Sequence, residues 1–435
     1  MWKYRCKSHL IALIIAFLVG IGLSAIVFNG TSINADILSS SITSVGGIDT
    51  KALNEAISFL QNNLWIVYMG DGLLVAGIIN VIYIGQYIST RFSISPWIIM
   101  CLIFFLPEYL IYIGAALVIP AVIVCIYGMV SLRSNLSKER KEYHFTNDTE
   151  LTRMYTIHHK LDESYKDLAI SCRKNVRKLT AIYGLGIVAL LVILTFINNM
   201  WLLLVLIMFY LFAFNLVLRY RAVSLLPITK LLYEDCNPEG CASAIIYYCT
   251  DSKGRVRLSQ HILLAQCLIY LNDPELAQDV LISYPRKDAA SSLQYWSMMS
   301  YINYMLKDEE ALARCKEEAK NIRLHYGRAG VMIQSEEMAA IENKIHLMDG
   351  DLNTCKKYYL QGLQKARFAF QQVDSCYYIA LISFVEEDYK LARLYFEKVL
   401  ELGNGMYFVE KAKSYLAKID AMNLNTANDE EEYSL

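Results

Sequence analysis

The 435-residue sequence predicts an all-α protein in two parts, a polytopic transmembrane helical domain followed by a water-soluble helical domain. Three observations carry this expectation. The composition is 55% apolar with a mean hydropathy of +0.31, more than water-soluble domains of this size show. Uncharged runs long enough to cross a bilayer lie before residue 225, whereas the remainder shows helical periodicity. The charge divides in the same place, with a net +6 over residues 1–225 and a net −7 over residues 226–435, within a formal total of −1. This division excludes a secreted disulfide-rich domain, a disordered chain and a basic nucleic-acid binder. The eleven cysteines follow no framework spacing and read as reduced thiols, with Cys101 and Cys125 acting as small hydrophobes inside apolar runs.

Residues 1–225 are expected to form the multi-pass domain. After Lys3, Arg5 and Lys7, the uncharged run 10–28 rises 1.5 Å per residue and covers roughly 30 Å of hydrocarbon. It exceeds the apolar core of a signal peptide and so reads as an uncleaved anchor. The second span, 64–88, holds one charge, Asp71, and a carboxylate at a bilayer centre costs about 2.5 kcal/mol or more. Flanked by Gly70 and Gly72 near one end of the span, Asp71 is expected to be an interfacial acid; a proton or ion relay is the alternative. Residues 96–132 contain the single charge Glu108 and read as a hairpin or re-entrant loop, bent near Pro107 and Pro120, which lack an amide proton. The block 179–218 has no charge in 40 positions, and Asn198 with Asn199 supplies a polar turn between spans 179–197 and 201–218. Trp65, Trp97 and Trp201 suit an interfacial belt.

Basic residues set the orientation. Residues 29–63 contain Lys51 alone, whereas 133–178 contain eleven Lys and Arg, and Arg219 and Arg221 close the last span. The N-terminus, the loop 133–178 and the whole C-terminal half are therefore expected in the cytoplasm, at the cell membrane. Within that loop, residues 149–178 read as one amphipathic helix, because Leu151, Met154, Ile157, Leu161, Leu168, Cys172 and Val176 recur at mainly three- and four-residue spacing. His158 and His159 are adjacent, not at the i, i+4 spacing of a helical zinc pair, and are expected to be solvated. The Arg173, Lys174, Arg177, Lys178 cluster abuts the membrane, where topogenic and lipid-anchoring roles account for it.

From residue 226 the chain changes to paired helices separated by short polar turns. The clearest unit, 261–285, is a helix, an Asn-Asp-Pro turn and a second helix opened by Pro274 and Glu275; another runs over 377–403. Ala265 and Ala380 occupy a small-residue position in the first helix, Ala277 and Ala392 one in the second, followed by Phe396 or, in the earlier unit, Leu281. Weaker units place Trp296 in a large position with Ala319 late in the second helix, and Tyr359 in the aromatic position after the Gly350-Asp351 turn. These residues resemble the tetratricopeptide (TPR) repeat, with starting points near 258, 293, 336 and 373 and irregular spacings of 35, 43 and 37. A non-repeating helical bundle is the alternative.

The resemblance covers about 230–420 and implies a cytoplasmic TPR-like α-solenoid over 226–422, with a terminal helix at 406–419 and an acidic disordered tail, 423–435. It further implies a concave partner-binding groove lined by Gln266, Ile269, Tyr301, Tyr304, Lys344, Leu347, Tyr377, Leu381 and Phe384, suited to a peptide or a partner's helix.

No nucleophile elbow, metalloprotease helix, phosphate-binding loop or dinucleotide fingerprint occurs, and Cys236, Cys241 and Cys249 lack paired zinc-knuckle spacing. The expectation is therefore neither an enzyme nor a cofactor-dependent protein. It is a membrane protein whose partners are the lipid bilayer and an unidentified protein or peptide at the helical repeats, with no nucleic acid. The alternative is a small transporter or ion-coupled protein that uses Asp71 and Glu108 as intramembrane acids, with regulatory repeats.

Overall fold

The computed structural model describes residues 2–30, 62–92, 107–142, 148–194, 200–324 and 327–432, with the isolated positions 55, 58 and 59. These residues are all-helical, and their one β pairing is a single antiparallel bridge between Thr250 and Val256. The chain divides into two compact units. One is built from Met1–Glu139, Pro285–Gln294 and Lys320–Glu336, the other from Arg140–Tyr284, Tyr295–Ala319 and Glu337–Leu435. The division falls well before residue 225, so the basic loop and the two apolar arms after it cluster with the C-terminal helices.

The first unit holds α1 (Trp2–Gly30), α2 (Leu64–Phe92), α3 (Pro107–Ala116) and most of α4 (Val118–Glu142). Three segments, Trp2–Ala25, Leu64–Ser89 and Val118–Leu136, are long and apolar enough to cross a membrane. Glycine decides how closely they pack. A β-carbon on Gly20 of α1 would lie 2.7 Å from the Asp71 carbonyl oxygen of α2, and one on Gly77 of α2 would lie 2.6 Å from the Ala115 amide nitrogen of α3. These are backbone-to-backbone approaches of the small-residue kind that membrane helices use. Leu13, Ala16, Ala76 and Val118 form the core, while Ile11, Ile14, Ile15, Ile119 and Ile123 are exposed, as lipid-facing side chains are. The predicted bend near Pro120 is a break at Leu117. Pro120 becomes the third residue of α4, where an amide proton has no intrahelical acceptor to lose. Residues 96–106 of the predicted hairpin, with Trp97 and Cys101, and the Asn198-Asn199 turn lie outside the described residues.

The second unit begins with α5 (Asp148–His158), a 3-10 turn (Glu163–Tyr165), α6 (Lys166–Leu194) and α7 (Met200–Val223). The single amphipathic helix expected over 149–178 is therefore broken. Asp162 accepts from the Ser164 amide at 2.9 Å and gives its own amide proton to Ser243 at 3.1 Å, so its backbone and side chain both leave the helical ladder. α5 is not a detached surface helix. Leu151 and Tyr155 are buried in the same core as the C-terminal helices. α6 runs unbroken from its polar first turns into the uncharged stretch 179–194.

The remaining helices follow as pairs: α8 (Leu226–Tyr233) with α9 (Pro238–Cys249), α10 (His261–Tyr270) with α11 (Pro274–Ile282), α12 (Ala289–Leu306) with α13 (Glu309–Lys320), α14 (Gly327–Asp349) with α15 (Leu352–Lys365), and α16 (Ala369–Val385) with α17 (Tyr389–Leu402). A last helix, α18 (Tyr407–Glu432), closes the unit. α18 continues through the acidic stretch expected to be disordered; no Gly or Pro follows Gly405 to stop it.

Four of the pairs are joined by one turn, repeated. Asn272, Lys307, Gly350 and Glu387 adopt positive φ of 61°, 59°, 78° and 62°. The aspartate after each, at 273, 308, 351 and 388, donates its amide to a carbonyl five residues back, at 2.9–3.0 Å. Its carboxylate then caps the next helix by accepting the amide three residues on, at 2.9–3.2 Å. A helix-ending left-handed residue and a helix-starting Asp are thus fused into two positions. The aspartates are spaced 35, 43 and 37 residues apart, the same intervals as the unit starts in the sequence. Ala265, Ala277, Ala380 and Ala392 are all fully buried where paired helices approach.

The two ends of the helical array touch. Asn404 Nδ2, between α17 and α18, donates to the Asp235 carbonyl at 2.8 Å, and the Gly405 amide donates to the Cys236 carbonyl at 3.2 Å. Tyr233 of α8 stacks on Phe370 of α16 at 4.8 Å. The last pair is thereby fastened to the first.

Candidate functional site: a tyrosine-lined interior around Lys344

α12, α14, α15 and α16 each turn one face toward this interior. Residues three or four apart on a helix share a face, so Tyr301 and Tyr304 project together from α12, and Asp374 with Tyr377 and Tyr378 from α16. Lys344 projects from α14 and Tyr359 from α15. The Lys344 ammonium donates to the Tyr359 hydroxyl at 3.0 Å and lies 3.6 Å from the Tyr301 ring centre, 4.3 Å from that of Tyr378 and 5.3 Å from that of Tyr304. Tyr301 donates its hydroxyl proton to Asp374 Oδ1 at 2.8 Å, and its oxygen is 3.2 Å from the Tyr378 hydroxyl. Tyr359 and Tyr378 stack at 4.6 Å with their planes 9° apart.

Lys344 is 5% exposed, and that burial sets its electrostatics. Desolvation pulls its pKa down to about 8, against the opposing pull of Asp374 and Cys355. Burial raises the Asp374 carboxyl, with Lys344 and the Tyr301 hydroxyl offsetting part of the rise. The same desolvation holds Tyr301, Tyr359 and Tyr378 well above the ordinary phenol range. Ring faces and a hydroxyl supply the ammonium with the negative potential that water would otherwise give. The arrangement holds a cation; it presents no nucleophile to solvent.

Of the residues expected to line a groove, Tyr301, Tyr304 and Lys344 meet here. Ile269, Lys344 and Tyr377 are buried within the domain, whereas Gln266, Tyr301, Tyr304, Leu347, Leu381 and Phe384 are half-buried around its margin. Ile269 and Tyr377 serve as packing, Tyr377 stacking on Phe408 at 4.2 Å. Asp374 and Tyr378 were not singled out in the sequence. The acid at 374, one turn before Tyr377 and Tyr378, is the signal that identifies this face as polar.

The adjacent histidines are not simply solvated. His158 Nδ1 and His159 Nε2 both meet Asp273 Oδ2, at 2.8 and 3.0 Å. α5 ends at His158, so the two adjacent imidazoles are free to converge on one carboxylate oxygen. Asp273 also caps α11, and its carboxyl is held below the usual range: its partial burial opposes ionisation, but the two imidazoles and the Leu276 amide prevail. Among the described residues no cluster of three or more His, Cys, Asp or Glu is arranged to hold a metal. Cys236, Cys241 and Cys249 are buried free thiols.

In the membrane-type bundle, Asp71 accepts from the buried Ser24 hydroxyl at 2.6 Å, while the Glu108 side chain lies outside the described residues. Asn80, fully buried in α2, donates to the Gly114 carbonyl at 2.9 Å, and His9 stacks on Tyr83 at 4.3 Å. The chain matches no family model, no curated protein and no solved structure.

Proposed function

We propose that the chain is an integral protein of the cell membrane that displays a cytoplasmic, diverged TPR-like helical domain to bind or scaffold a protein partner. The observation that carries this reading is the helix pair joined four times by the same left-handed residue and Asp cap, at the intervals of the sequence units. Arrays of this kind present surface, and the half-buried aromatic margin of Tyr304 and Phe384 is of the residue type that anchors peptides. In this reading both termini are cytoplasmic, following the distribution of the basic residues. The Arg286 side chain donates to the Tyr4 hydroxyl at 2.9 Å, which supports a cytoplasmic start for α1.

The test is photocrosslinking of the full-length protein in its own membranes, with the crosslinker placed at Phe384 or Tyr304 and, as control, at the exposed Leu394. A discrete crosslinked protein from the first two positions and none from the third supports recruitment. Absence of any discrete product at Phe384 and Tyr304 refutes it. A second reading, an ion-coupled membrane protein with regulatory repeats, is favoured by the Ser24–Asp71 contact and by buried Asn80. Proton or ion flux in proteoliposomes that disappears in Asp71→Asn would establish that reading.

A further inference from the structure

The uncharged arm of α6, residues 179–194, begins directly after four cations. Arg173, Lys174, Arg177 and Lys178 fall at i, i+1, i+4 and i+5, so all four share one side of the helix, bracketed by Ile170 and Ala181. The other side, Ala169, Cys172 and Val176, is buried. The six residues of the cationic side line a shallow groove of about 460 Å³. Among the described residues no carboxylate lies within ion-pair distance of any of the four. Arg173 Nη1 is buried and has no hydrogen-bond partner.

A topogenic signal needs only a number of positive charges in a loop. It does not call for their alignment on one helix face. We propose that this groove binds the phosphate of an anionic membrane phospholipid. The Arg173 fork contacts the phosphate oxygens, and Lys174, Arg177 and Lys178 act as surrounding point charges. The source is lipid because the helix continues from the groove into its apolar arm, which sets the cations at headgroup depth. The proposal rests on the membrane embedding in the reading above and is independent of any protein partner.

The test uses the full-length protein in mixed micelles of equal phosphatidylglycerol and phosphatidylcholine, with retained lipid counted by native mass spectrometry. The wild type is expected to retain phosphatidylglycerol over phosphatidylcholine by about tenfold or more, given what several juxtamembrane cations contribute together. R173Q/K174Q/R177Q/K178Q should lose that preference, and the control R133Q/K138Q/R140Q/K141Q should keep it. R173K, which preserves charge and topology should the four-site variant not insert, is expected to lose several-fold because Lys lacks the fork. Equal retention of both lipids by the wild type, an undiminished preference in the four-site variant, or no change in R173K overturns the proposal. Displacement of the retained lipid by inorganic phosphate at 10 mM on the order of the lipid's own effect would reassign the groove to a soluble anion and overturn the lipid assignment. Flotation of each variant with phosphatidylcholine vesicles reads embedding separately, so loss of the membrane reading and loss of the lipid site remain distinguishable.

Discussion

Replacing Lys344 with Met should change how stability depends on pH, in a direction fixed by burial. In the folded protein Lys344 releases its proton near pH 8, against an ordinary value of 10.5. Between those values the unfolded chain still holds the proton that the folded protein has lost, so this residue makes stability rise with pH. The full difference corresponds to about 3.4 kcal/mol, of which about 2 kcal/mol is realised by pH 9.5. Other groups act in the opposite sense. Burial pushes Cys236 and Cys355 up to about 11 and Cys315 up to about 12, so the unfolded thiols ionise first and stability falls as pH rises. The raised tyrosines add to that fall above about pH 10. Both classes are common to wild type and variant and largely cancel in the difference between them. Cys355, another group acting on Lys344, stays protonated across that range. Met keeps a long, unbranched, apolar stem in the cavity. Urea unfolding of both full-length proteins in the same detergent, followed by tyrosine near-ultraviolet dichroism, should show the wild type gaining about 2 kcal/mol relative to K344M between pH 7 and 9.5. A difference that stays constant over that range refutes the buried-ammonium account.

Three further outcomes follow from local geometry. Gly20→Val, whose side chain meets the Asp71 carbonyl, should weaken the α1–α2 contact by about 1–3 kcal/mol in detergent melting, while Gly22→Ala, which faces open space, should leave the melting temperature unchanged. Lys307→Gly and Glu387→Gly each relieve a left-handed non-glycine residue and should stabilise the protein by roughly 0.5–1 kcal/mol, an effect that replacement of the neighbouring aspartates would reverse. Asp273→Ala should cost about 1 kcal/mol or more at neutral pH, since it removes the α11 cap and the acceptor of two histidines. Because the carboxyl is held below its ordinary range, that contribution is present at neutral pH and lost as acid protonates the folded carboxylate, so wild type and variant should converge in acid unfolding curves.

Much of the helical architecture is local and therefore readable from the chain. The Asn272-Asp273 and Gly350-Asp351 turns announce themselves, because Asn and Gly tolerate positive φ and Asp caps the next helix. Lys307-Asp308 and Glu387-Asp388 do so only through the Asp, since Lys and Glu are ordinary helix residues forced into the left-handed region by their neighbours. The break after His158 was hidden because the apolar spacing continues across it; within the break the Asp162 amide is taken by Ser243, 81 residues away. Closure of the array is less legible still. It rests on Asn404 and Gly405 reaching Asp235 and Cys236 across about 170 residues, and neither pair carries a signal that names the other.

Closure also explains why a lysine and an aspartate occupy an interior. Tyr301 belongs to α12, Lys344 to α14, Tyr359 to α15 and Asp374 with Tyr378 to α16, so the contacts that Lys344 and Asp374 make with these tyrosines cross between helices. The polar centre therefore exists only when three consecutive pairs stack in this register. A slip of one turn on any of these helices would leave a buried ammonium without ring faces or a carboxyl without its phenol, and an uncompensated buried charge costs several kcal/mol. An apolar centre of the same volume could be as stable, but it would accept neighbouring registers of the same greasy faces almost equally. The cation among tyrosines thus contributes less to the depth of the folded state than to its uniqueness, which the irregular spacing of 35, 43 and 37 residues between pairs cannot by itself secure.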